Sequence, residues 1–140
     1  MEIIAGLITA AAVVGLGYAT RQGRSLLFYS NVLIVIALGY VLFAVMDGTS
    51  RTIIVESAIA AVFIAVAVAG TRTSTLYAAG LLMAGGLAAH GVYDLVHHAV
   101  VSNPVVPVWW PIFCGIVDIV LAGWVLVLLK RDTLRIQPAA

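Results

Sequence analysis

Four short polar breaks, at 20–25, 47–52, 70–74 and 102–107, divide an otherwise apolar chain into five runs. The runs cover 3–19, 26–46, 53–69, 75–101 and 111–129. A helix needs about 20 apolar residues to cross the hydrocarbon of a bilayer, and these runs are of that order. They lack the strict in-and-out alternation of an outer-membrane barrel strand. With 64% hydrophobic and 9% charged residues, the chain has too few polar side chains to coat a water-soluble globule of its size. The expectation is an all-α, integral membrane helical bundle of five transmembrane helices, forming a single domain over residues 1–140. The third run is short, and the fourth is long enough to tilt or to emerge at one end.

Charge supplies the orientation. An odd number of crossings puts Arg21, Arg24, Arg72, Lys130, Arg131 and Arg135 on one side and leaves only Arg51, of the seven basic residues, on the other. By the positive-inside bias the amino terminus is then outside and the carboxyl terminus cytoplasmic. A four-helix arrangement scatters these charges and ranks second. Glu2 precedes the first run and Arg21 and Arg24 follow it, the reverse of a secretory signal, so the run is expected to be a retained helix. The expected location is the cell membrane, as a multi-pass protein of a bacterial inner membrane. Net charge is only +1, with no basic cluster on a soluble face, so nothing points to nucleic acid. A single cysteine, Cys114, excludes an intramolecular disulfide and a cysteine zinc cluster.

Small residues at four-residue spacing let helix backbones approach. Gly6 and Ala10, Ala11 and Gly15, Ala84 and Ala88, and Gly85 and Ala89 read as packing stripes, while Gly86 and Gly91 border a polar cluster. The same faces allow a homo-oligomer.

That cluster is His90-Gly91-Val92-Tyr93-Asp94-Leu95-Val96-His97-His98, within the fourth run. Ionisable groups at membrane depth are costly and by default mark a functional site. The threading puts His97 and His98 at the outer surface, His90 roughly 10 Å deeper, and Glu56 about one turn in on helix 3. Cys114 and Asp118 fall in the outer half of helix 5, and Asp47 ends helix 2 on the same side, where it reads as a solvated loop residue. With His90 at zero, Asp94, His97 and His98 lie at about 40°, −20° and 80° around the helix axis, so all share one face. Cys114 and Asp118, four apart, share a face of helix 5.

Imidazoles and carboxylates at one-turn spacings aim donors at a common point, as a zinc or iron site requires. The candidate ligands are His90, Asp94, His97, His98 and Asp118. Asp94 and Asp118 either ligate or orient a histidine, and Glu56 is the spare carboxylate able to act as base on a bound water. The plainer alternatives are that a His–Asp pair locks two helices, that His98 faces water or headgroups, and that Cys114 is a small core residue. Trp109 and Trp110 suit the headgroup belt, or lie against an apolar substrate if the proline-stiffened 102–107 loop caps the polar cluster.

The pattern His90-x-x-Tyr93-Asp94-x-x-His97-His98, Asn103-Pro104, Pro107, Cys114-x-x-x-Asp118 and Ala122-x-Trp124 resembles the carboxyl-terminal half of a family of small integral membrane proteins of bacteria and fungi. Tyr93 stands where that family carries tryptophan, and the loop before Asn103 is one residue longer than the family's. The family is one of unknown function, so the resemblance implies a membrane bundle and no activity. His90-x-x-x-Asp94 is also similar to part of the zinc-dependent ceramidase and receptor-hydrolase superfamily. Asp94-x-x-His97-His98 is similar to the histidine boxes of di-iron desaturases. The first needs more helices and a more distant histidine pair; the second needs more than the three histidines present, so at most a mononuclear site is expected.

Three functions follow as expectations. The first is a metal-dependent, hydrolase-like membrane enzyme acting on a lipid or other apolar small molecule at the outer leaflet. The second is a non-enzymatic module binding protons, a metal ion or haem iron; the inner half of every span lacks ionisable residues, which argues against transmembrane transport by one chain. The third is an accessory structural subunit.

Overall fold

The computed structural model describes residues 1–136. Its helices are α1 (Glu2–Ala19), α2 (Leu26–Asp47), α3 (Ser50–Arg72), α4 (Leu76–Val100) and α5 (Trp110–Lys130). All five are long and apolar enough to cross a membrane. Among the described residues there is no strand, only an isolated bridge between Ser25 and Arg135.

The third helix is longer than its apolar run. It spans 23 residues because Ser50-Arg51-Thr52 and Gly70-Thr71-Arg72, which break the hydropathy, keep helical backbone bonds. Hydropathy reports solvation of side chains, whereas the helix is carried by N–H to C=O bonds such as Ile53 to Thr49 at 3.0 Å. The α2–α3 turn therefore shrinks to Gly48 and Thr49, with Gly48 at φ 74°, a left-handed conformation open to glycine. Glu56 lies six residues into α3, about 9 Å along the axis from Ser50.

Around the bundle the order is α1, α5, α4, α3, α2, with α4 also touching α2. Helix α4 is the most buried and α1 the least. Only half of the small-residue stripes pack. A Cβ on Gly6 would stand 2.9 Å from Ile116 and from the Phe113 carbonyl, so α1 meets α5 there, but nothing lies within 4 Å of Gly15 or Gly85. Gly86 admits Val66 and Leu33. Gly91 and Gly115 bring the α4 and α5 backbones together, each Cβ position lying 3.1 Å from the other's carbonyl oxygen.

At one end of the bundle the chain after α5 returns to the start of α2: the Leu26 N–H donates to the Arg135 carbonyl and the Arg135 N–H to the Arg24 carbonyl, both at 2.7 Å. At the opposite end the 101–109 connection folds down, burying Val101, Asn103 and Val106. The Asn103 side chain accepts from the Val105 N–H at 3.3 Å, the turn that Asn103-Pro104 predicts.

Candidate metal centre and a second buried polar pair

The buried histidines and carboxylates of α3, α4 and α5 sort into two groups near the end of the bundle where the 101–109 connection lies. In the first, His90 Nδ1 is 2.7 Å from Asp118 Oδ2, joining α4 to α5. Asp94, one turn along α4, has Oδ2 3.5 Å from the same nitrogen, too long for a hydrogen bond. All three residues are at most 1% exposed. One Nδ1 proton satisfies one carboxylate oxygen, leaving Asp94 Oδ1, Asp94 Oδ2 and Asp118 Oδ1 without partners. Buried carboxylates with unfilled lone pairs are expensive, and a cation or extra protons relieve the cost.

These residues can converge on one cation, with one donor atom from each lying within 4.8 Å of the others. The ligands of a tetrahedral zinc lie about 3.3 Å apart, given metal–ligand bonds of about 2.0–2.1 Å. The 3.5 Å separation matches that spacing. The 2.7 Å contact is a proton-bridged distance, so holding a metal there would require His90 and Asp118 to give up that proton and separate by about 0.6 Å. Three protein donors would leave a coordination position open on a four-coordinate ion. A backbone without side chains at Gly91 and Gly115 permits this approach: a Cβ on Gly91 would meet the Asp118 Cβ at 3.1 Å.

The second group joins α3 to α4. His97 Nε2 lies 2.7 Å from Glu56 Oε1, and the Tyr93 hydroxyl donates to Glu56 Oε2 at 2.8 Å. Glu56 is 1% exposed and His97 fully buried. With the Nε2 proton given to Glu56, His97 Nδ1 carries a lone pair and has no partner. Tyr40 of α2 lies flat on His97, with ring centroids 4.1 Å apart, and its hydroxyl faces Asp94 without closing a hydrogen bond. Phe63 of α3 stands edge-on to His90 at 4.6 Å. These aromatic rings lie against both imidazoles.

The structure thus brings His90, Asp94 and Asp118 together and sets His97 apart with Glu56. His98 is exposed and, with Asp47, Arg51 and Thr52, lines a polar mouth of about 520 Å³ at the same end. Glu56 is sealed by His97 and Tyr93 rather than standing free beside the three-residue group. Cys114 is buried in the wall of an apolar cavity between α1, α2 and α5, which Trp110 and Asp118 also line, whereas Trp109 is exposed. Tyr40 and Phe63 were missed by sequence reasoning; they carry no periodic signal, because neither lies on the helix that bears the histidines. No protein-family model matches the chain, and neither a curated protein nor a solved structure is significantly similar to it.

Proposed function

We propose that the chain is a multi-pass protein of the cell membrane, amino terminus outside, in which His90, Asp94 and Asp118 hold a zinc or iron ion and support hydrolysis of a lipid or other apolar molecule. Membership of the small bacterial and fungal membrane family belongs to the same proposal. The observation that carries the metal reading is Asp94: a fully buried carboxylate, neither oxygen partnered, 3.5 Å from an imidazole nitrogen already bonded to a second carboxylate. A metal ion at this point would supply a Lewis acid and a bound water of lowered pKa. The residues of the second group would handle protons. Glu56 fixes the tautomer of His97, so that Nδ1 is the basic atom and Glu56 acts as a positioning residue through it.

One observation favours a second reading. The two 2.7 Å imidazole–carboxylate contacts each tie one helix to another, α4 to α5 and α3 to α4, which is what a register lock in an accessory subunit does. Metal content separates the two. Protein purified in mild detergent without chelator or histidine tag is expected to carry near-stoichiometric zinc or iron by plasma mass spectrometry. The metal is lost in His90→Ala and kept in Glu56→Gln. Wild-type protein that is folded, metal-free and unable to take up either ion sinks the enzymatic reading and leaves the lock.

A further inference from the structure

The cavity between α1, α2 and α5 has a volume of about 690 Å³, within the roughly 300–1,000 Å³ of small-molecule sites. Along α2 it runs from Phe28 to Leu42, roughly 21 Å at 1.5 Å per residue, against about 15 Å for one leaflet of hydrocarbon. Its walls are apolar apart from Thr9, Asn31, Cys114 and Asp118. Three residues that line it, Val35, Leu38 and Leu42, are exposed on the flank of the bundle, so it opens sideways toward the surrounding apolar phase.

We propose that this cavity binds the extended chain of a single-chain amphiphile, whose polar end donates a hydrogen bond at Asp118; a long-chain amide offers both the N–H donor and a hydrolysable bond, and a long-chain alcohol shares the donor without the bond. This rests on the membrane reading and names the substrate class for the site at His90, Asp94 and Asp118. Shape and the polar end together select the occupant. Moving a hydrocarbon chain from lipid to an apolar cavity gains no hydrophobic free energy, so the chain supplies only packing. Discrimination falls to the polar end, where Asp118 is both a cavity residue and the partner of His90; its Oδ1 has no partner but is buried behind the cavity wall, so accepting from the amphiphile requires the carboxylate to turn toward the cavity.

The test is photo-crosslinking in nanodiscs with a long-chain alcohol carrying a diazirine in mid-chain, mapped by peptide mass spectrometry. Labels are expected on α2 and α5 residues that line the cavity, competed by unlabelled alcohol and not by an alkane of equal length. Two variants close the space without disturbing the core. Gly39→Leu projects into the cavity from a position where a Cβ meets only Trp110 at 3.7 Å, and Val35→Trp sits on a rim residue that is 69% exposed. Both are expected to lose most of the labelling and to retain metal. Labelling spread evenly over all lipid-facing helices, or unchanged in both variants, overturns the proposal. So does a wild-type dimer that Gly39→Leu converts to monomer with no cavity labelling in either. The metal reading fails separately: cavity labelling that Gly39→Leu abolishes in a protein devoid of metal supports the amphiphile site and removes the hydrolase.

Discussion

Glu56 and His97 meet at 2.7 Å across the α3–α4 interface, and the Tyr93 hydroxyl occupies the second carboxylate oxygen at 2.8 Å. Removing the carboxylate leaves a buried imidazole and a phenol without their partner. Glu56→Ala is expected to cost about 2–5 kcal/mol of stability, because two buried donors each lose their acceptor at about 1–3 kcal/mol. Glu56→Gln keeps the shape and one hydrogen bond and is expected to cost about 1–3 kcal/mol. Thermal unfolding in detergent compares them; an Ala variant as stable as wild type contradicts the pairing.

The Gly91 and Gly115 contact makes a packing prediction that does not depend on chemistry. A Cβ at residue 91 would press at 3.1 Å on the Gly115 carbonyl, Asp118 Cβ and Ile119. A backbone carbonyl cannot swing aside, so Gly91→Ala is expected to push α4 from α5, destabilising by about 1–3 kcal/mol. Gly85→Ala, in open space six residues earlier, is expected to be neutral or to stabilise by up to about 1 kcal/mol through helix propensity. Equal effects at the two sites overturn the assigned interface.

Hydropathy made the number of helices legible because each break is polar enough to end an apolar run, but it trimmed α3, whose ends are polar yet still helical. Periodicity placed His90 and Asp94 on one face correctly, one turn apart. It also placed His97 there, since angle around the axis repeats every two turns. Height does not repeat: seven residues advance about 10.5 Å along the helix, beyond the 4.8 Å within which the metal-capable donors lie. His97 therefore meets a different neighbour, and which helix offers that neighbour depends on the order around the bundle. Nothing in the spacing of α4 reveals that Tyr40 of α2 stacks on His97, or that α3 rather than α5 faces it.

Orientation rests on the six-to-one distribution of basic residues, and single cysteines test it directly. In a Cys114→Ala background, Thr49→Cys lies in the two-residue α2–α3 turn and Thr73→Cys in the α3–α4 connection at the opposite end. A membrane-impermeant maleimide is expected to label the first in intact cells and the second only after permeabilisation. The reverse pattern inverts the bundle and places the polar end toward the cytoplasm.

Asp94 gives the sharpest test of the metal centre, because its role changes sign with the ion. In chelator its two unpartnered oxygens are a buried cost, so Asp94→Asn, which cannot carry the charge, is expected to be at least as stable as wild type. With a bound cation the same oxygens become ligands, and binding to the folded state alone stabilises the protein. At a free ion concentration one hundred times Kd, that linkage amounts to about 2.7 kcal/mol. Unfolding midpoints measured against zinc or ferrous iron are therefore expected to rise in wild type and in Glu56→Gln, and to stay flat in Asp94→Asn and His90→Ala. Stabilisation that persists in Asp94→Asn moves the ion to another site. A flat wild-type response to both ions means that protons, shared through the His90–Asp118 contact, hold this polar core together.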